Sequence, residues 1–328
     1  MHNHRFNPLP PDCCSLIIHA FKTIRVHIDL LSITKLKRVF HISWVSLLAI
    51  VVSLFIWLRP MSVNSLNYLI WKFSTTTQTE IGNIDYRDAR IHYVAYGQGE
   101  PVLLLHGGLS NKLSWFSQIP WLVASGRRVV LIDTRGHGHS TPGYIKLNYQ
   151  VFAEDTLQVL DRLGIQRTDI VGWSDGGIIA LLLGLEAPQR VGRIVAISAN
   201  FNPAGLIPEA NRVQDKTLNL SPKKFTDWLR SWWSGAGARH AVLEAEIKEL
   251  WRSEPKLVHS DLQAITAPTL VIAGENDIVA LSHSRELAQK LANGRLEIVP
   301  GAGHAAPITH ARQINQLIAS FLGIGLPK

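Results

Sequence analysis

Cysteine and methionine are almost missing from this chain of 328 residues, which has two of each. The cysteines, Cys13 and Cys14, are adjacent and lie near the N-terminus. Neither a disulfide framework nor a cysteine-ligated zinc site is therefore available to the rest of the chain. The methionines are Met1 and Met61, so translation begun at Met61 would yield a shorter product. Acidic side chains are scarce at the start. Residues 1 to 60 hold seven basic side chains (Arg5, Lys22, Arg25, Lys35, Lys37, Arg38, Arg59) against Asp12 and Asp29, a balance of +5 out of a net +8. The remainder carries only +3 and shows no recognised nucleic-acid-binding module, which argues against nucleic acid as a partner. What is plentiful is apolar: 46% of the residues are hydrophobic, enough to exclude wholesale disorder and to fill one α/β domain with an insertion.

Residues 42 to 58 are uncharged and strongly apolar, and the run reaches back to Val39 if His41 sits at an interface. A crossing of the ~30 Å hydrocarbon core takes ~20 such residues, and Trp44 and Trp57 stand where interfacial aromatics belong. The sequence thus predicts a basic tail over 1–38, a transmembrane helix or signal anchor over 39–60 and a Ser/Thr/Asn-containing linker over 61–80. Lys22, Arg25, Lys35, Lys37 and Arg38 precede the run, so the positive-inside bias places the N-terminus in the cytoplasm and the remaining chain outside it, periplasmic or extracytoplasmic. Two alternatives stand beside this. A cleaved signal peptide is disfavoured by the long charged region and by the want of a small-residue site at Arg59-Pro60-Met61, and a start at Met61 would give a cytoplasmic protein.

Beyond the linker the pattern changes to alternating strand-like and helix-like runs. Strands are expected at 90–96, 101–105, 128–132, 169–172, 193–198, 269–273 and 295–299. Helices are expected at 149–163, closed by Gly164, and at 176–186, 282–291 and 311–321. Solidly apolar strands in βα alternation predict an α/β protein with a doubly wound, mostly parallel sheet covered on both faces, built from residues 81–198 and 268–326. The pattern lapses over 199–267, which has no strand-like run, helix-like stretches near 222–233 and 239–251, and four of the ten tryptophans: Trp228, Trp232, Trp233 and Trp251. A small helical cap over the carboxyl edge of the sheet is the expectation, because ligands bind outside that edge. Some of the tryptophans would only pack cap onto core. Trp228, Trp232 and Trp233 are candidates for substrate contact, together with Trp173.

One stretch organises the chemistry. In Thr168-Asp-Ile-Val-Gly-Trp-Ser-Asp-Gly-Gly-Ile-Ile179 a β-branched run stops at Gly172 and a helix-length apolar run opens at Gly176, which leaves Ser174 at the corner. Glycines on both sides suit a corner where side chains would strike the neighbouring strand and helix, and G-x-S-x-G is the pattern of a nucleophile elbow. A serine hydroxyl needs a base, and the base needs a carboxylate to hold its tautomer. In the order this architecture uses, the acid and the base follow in loops after later strands. Asp277 follows the strand ending at Ala273, and His304, flanked by glycines, follows the strand ending at Val299. Glu275 competes with Asp277 but comes sooner after its strand, and the other common acid position, after Ser198, holds Asn200. The oxyanion donors would be the backbone N–H groups of Gly108, in His106-Gly107-Gly108-Leu109, and of Asp175, with Gly107 letting the loop turn and the Asp175 side chain pointing away from the base. His137 and His139 suggest a metal pair, but the sequence offers no nearby third ligand, so no metal is expected and both are read as solvent-facing loop residues.

Taken in order, H-G-G, D-x-R-G-x-G-x-S (Asp133 to Ser140), G-x-S-x-G-G, G-x-x-D and G-x-G-H resemble the α/β-hydrolase superfamily from about residue 80 to 326. Within it, Gly-Trp-Ser-Asp-Gly-Gly with a short cap looks like the valacyclovir-hydrolase-like (biphenyl hydrolase-like) serine hydrolases. That resemblance implies ester or amide cleavage of a small molecule without a cofactor. Hydrolysis of a carbon–carbon bond in a vinylogous diketone, which related folds perform with the same triad, and a ligand sensor of hydrolase shape remain as alternatives. Relatives that use aspartate as nucleophile, the haloalkane dehalogenases and epoxide hydrolases, are excluded by Ser174.

Overall fold

A computed structural model describes residues 59–208 and 240–325. The chain divides into two compact units, Met1–Ser62 and Val63–Lys328, and the account below concerns the second. Its centre is an eight-stranded sheet of β1 (Thr79–Tyr86), β2 (Ala89–Tyr96), β3 (Pro101–Leu105), β4 (Arg128–Asp133), β5 (Thr168–Trp173), β6 (Val191–Ile197), β7 (Thr269–Gly274) and β8 (Gly294–Val299), in the order β1-β2-β4-β3-β5-β6-β7-β8. The β1–β2 and β2–β4 pairs are antiparallel and every other pair is parallel. The doubly wound, mostly parallel α/β sheet expected from the sequence is the observed fold.

The strands in the middle are buried on both faces. All six residues of β7 are buried, and Leu103, Leu104, Val129, Val130, Ile170, Val171, Ile194 and Val195 have no exposed surface. A strand in that position cannot alternate apolar with polar, which is why these runs read as continuously hydrophobic. The helix Tyr149–Arg162 starts at Asn148, whose side chain accepts from Val151 N at 2.8 Å, and ends before Gly164 at φ +66°. It packs on one face together with Asp175–Glu186, while Ile119–Ala124 and Ala311–Leu322 cover the other.

β1 lies within the stretch assigned to linker and core start, and sequence patterning does not mark it. It is the edge strand, its burial alternates between exposed and intermediate along its whole length, and Gly82, Asn83 and Asp85 are poor strand formers. The linker expected over 61–80 is corrected as well, since Arg59–Ser74 is a helix of 16 residues. Tyr68 and Trp71 pack against the sheet's second core cluster, Trp71 meets Tyr96 edge-on with centroids 5.3 Å apart, and Lys72 Nζ donates to Tyr96 Oη at 2.9 Å. Tertiary contact overrides the Ser and Asn content.

The membrane expectations are corrected too. Among the described residues no helix is long and apolar enough to cross a membrane, which leaves attachment through an N-terminal helix, the single-pass topology and the placement outside the cytoplasm without support. Residues 39–58 of the expected span lie outside the described residues. The described helix Arg59–Ser74 spans ~24 Å at 1.5 Å per residue and carries the polar Asn64, Asn67 and Lys72. In the insertion, His240–Ser253 and His259–Ala264 are helices, whereas the expected helix at 222–233 lies outside the described residues.

Candidate active site

Ser174 stands between β5 and the helix Asp175–Glu186 with φ 54° and ψ −119°, a backbone that a serine adopts only under constraint. The constraint is packing. A Cβ on Gly172 would strike the Gly176 carbonyl, and one on Gly176 would strike the backbone of Leu105 and His106, so strand and helix close on the corner through glycine alone. Ser174 N donates to Ile197 O at 2.8 Å, tying the corner to β6.

The three residues drawn from β5, β7 and β8 meet. Ser174 Oγ is 3.0 Å from His304 Nε2, and His304 Nδ1 is 2.7 Å from Asp277 Oδ1. The carboxylate can only accept when ionised, so Nδ1 carries the proton and Nε2 is free to accept from the hydroxyl. The Asp277 side chain is wholly buried. Burial works against its charge, but the opposing pull of His304, together with donors from Ser198 Oγ and Val279 N, holds it below the usual carboxylate range. The competitor Glu275 is exposed and accepts from Gly301 N at 2.8 Å, bracing the loop that leads to His304.

Ser198 was not singled out from the sequence. It directly follows β6 at φ 55°, and its hydroxyl donates to Asp277 Oδ2. Its one sequence signal is its place at the end of a core strand run, two residues before the alternative acid position held by Asn200. Trp173, a candidate for substrate contact, turns its indole N–H to His304 O at 2.7 Å and packs beside the second core cluster. It thereby anchors the base. Trp228, Trp232 and Trp233 lie outside the described residues.

Gly108 follows β3 opposite the elbow, and Asp175 opens the elbow helix, where first-turn N–H groups have no intrahelical partner. The Asp175 side chain does more than point away. Its Oδ1 accepts from Trp251 Nε1 at 2.8 Å and from Tyr149 Oη at 3.0 Å, while Oδ2 is buried without a hydrogen-bond partner among the described residues, beside Gly108. Burial pushes its carboxyl up to about 6 against the lowering effect of those two donors. Trp251, on the helix His240–Ser253, is thus a polar link between the insertion and the elbow. No local pattern marks a partner 76 residues away.

The two loop histidines differ. His139 is exposed as expected, with 70% of its side chain accessible, but His137 is 2% exposed, which corrects the solvent-facing assignment. Third-ligand candidates also exist: His92, Asp133 and His139 bring ligand atoms within 4.8 Å of one another. The Lys112 ammonium already fills that space, bonded to Asp133 and 3.1 Å from His139 Nδ1, while Asp133 also accepts from the N–H groups of Lys112 and His139. A cation would have to displace it.

The model of the alpha/beta hydrolase fold family matches residues 100–237, and that of TAP-like proteins matches residues 249–327. Among similar proteins is a 2-hydroxy-6-oxononadienedioate/2-hydroxy-6-oxononatrienedioate hydrolase of Paraburkholderia phymatum, 30% identical over 76% of this chain and 99% of the relative. A non-heme haloperoxidase of Rhodococcus erythropolis is 30% identical over 71% of this chain and 95% of its own. Among solved structures, a hydrolase from Pseudomonas aeruginosa superimposes with a TM-score of 0.63 at 26% identity, covering 74% of this chain and 98% of that one.

Proposed function

Since the chain belongs to the α/β-hydrolase family, we propose that it is a serine hydrolase cleaving an ester or amide bond of a small to medium, partly apolar substrate. The observation that carries this is the relay of 3.0 Å and 2.7 Å from Ser174 through His304 to Asp277. Ser174 Oγ attacks the carbonyl carbon as its proton passes to His304 Nε2, and the carbonyl electrons move onto oxygen. The oxyanion takes the N–H groups of Gly108 and Asp175, each such donor being commonly worth ~10²–10³ in rate. Collapse expels the alcohol or amine, which leaves with the proton from His304. Water then repeats the sequence on the acyl-enzyme, and Asp277 stabilises the imidazolium in both halves without itself taking the proton. No step calls for a metal or cofactor. The apolar face of Trp251 beside Gly108 supports apolar character next to the scissile carbonyl.

A nitrophenyl ester series from acetate to octanoate tests the proposal. Ester turnover by the wild type and its loss in Ser174→Ala is the expected result, whereas equal turnover by both removes Ser174 as the nucleophile. A second reading, hydrolysis of a carbon–carbon bond in a vinylogous diketone, draws on the Paraburkholderia phymatum relative. Turnover of such a diketone above that of every ester would favour it.

A further inference from the structure

We propose that His137 is a positioning residue of the oxyanion hole, holding the Gly108–Leu109 peptide from outside the catalytic triad. The inference rests on the serine-hydrolase reading, in which Gly108 N–H is one of the two oxyanion donors.

A trans peptide points its C=O and its N–H in opposite directions. The Gly107 carbonyl is taken by His106 Nδ1 at 2.8 Å and by Ser110 N at 3.2 Å, so the Gly108 N–H on the same peptide faces the other way. The next peptide fixes the rotation about Gly108. Leu109 N donates to His137 Nε2 at 3.1 Å, and Leu109 is held at φ 56°, where a leucine sits only at a cost of ~1–2 kcal/mol. His137 can make that bond in one tautomer alone. Its Nδ1 is 3.0 Å from the Arg135 carbonyl, which can only accept, so Nδ1 carries the proton and Nε2 offers its lone pair. Thr134 Oγ1, 3.1 Å from His137 Nδ1 and 3.3 Å from His106 Nε2, joins the two rings, and Thr134 N donates to His106 Nε2 at 3.1 Å. Burial, with the neighbouring His106, lowers His137 to about 3, so the acceptor stays neutral under working conditions. The loop after β4 thereby sets the angle of a donor on the loop after β3.

Four variants of the full chain, His137→Leu, His137→Gln, His137→Asn and Ser174→Ala, test this against a nitrophenyl ester and a trifluoromethyl ketone whose tetrahedral adduct presents an oxyanion. Leucine should lower kcat by ~10²-fold with KM within about twofold, and weaken the ketone by a similar factor. Glutamine reaches the Nε2 position with an acceptor and should restore most of both. Asparagine reaches only the Nδ1 position and should not. Wild-type kcat in His137→Leu overturns the inference, and if that variant does not fold, equal kcat for the Gln and Asn variants overturns it. Turnover that survives in Ser174→Ala instead defeats the serine-hydrolase reading and the inference with it. Turnover that needs Ser174 but ignores His137 defeats the inference alone.

Discussion

Replacing Trp251 by phenylalanine removes one N–H donor from a buried carboxyl while keeping most of the aromatic surface. Among the described residues the Asp175 carboxyl would then retain only the Tyr149 Oη donor. A hydrogen bond to an ionised group contributes ~1.5–3 kcal/mol and one between neutral groups ~1 kcal/mol, so the penalty depends on the charge of Asp175. Its folded value of about 6 lies above the ~3.9 of an unfolded aspartate. Ionisation therefore costs nothing below about pH 4, and its cost is fully felt above about pH 6. Losing the Trp251 donor raises the folded value further, so the variant must go on losing stability above about pH 6, where the wild type has levelled off. Thermal unfolding should show a drop of roughly 2–4 °C at pH 5 and about twice that at pH 8, at ~2–4 °C per kcal/mol for a domain of this size. In an Asp175→Asn background the two drops should be equal. Equal drops at both pH values in the otherwise wild-type chain would refute the reasoning, because the indole would then contribute packing alone.

Other perturbations follow from the same geometry. Asp277→Asn keeps the contact with His304 but offers the wrong partner to Nδ1, and steady-state ester kinetics should show kcat lower by ~10⁴ with little change in KM. Ser198→Ala deprives the ionised Asp277 of its hydroxyl donor and should cost ~1.5–3 kcal/mol at pH 7 in urea unfolding. Because that carboxyl is depressed, the difference between variant and wild type should shrink as pH falls below about 4. Gly176→Ala places a methyl against the backbone of Leu105 and should leave no folded protein by circular dichroism, whereas Gly325→Ala, in open space, should be neutral.

The core of the fold and the Ser174, His304 and Asp277 positions were legible because their signals are local. A strand buried on both faces must be continuously apolar, and a corner that lets a helix approach a strand must be glycine. What escaped depends on partners distant along the chain. The helix Arg59–Ser74 is held by Trp71 on Tyr96, β1 by pairing at the sheet edge, and Asp175 by Tyr149 and Trp251. His137 misled for the same reason: a histidine in a glycine-rich loop reads as exposed until the Leu109 N–H that it accepts is folded over it. The long apolar run of the N-terminal region raised an expectation that the described helices do not meet.

The central claim is that Ser174 is a nucleophile activated by His304. Intact-mass and peptide-mapping measurement after exposure of the folded protein to a fluorophosphonate tests it most directly. The account predicts one adduct, on the peptide containing Ser174, absent from Ser174→Ala and formed far more slowly in His304→Ala. No adduct on the folded wild type, or an adduct on another residue, would contradict it.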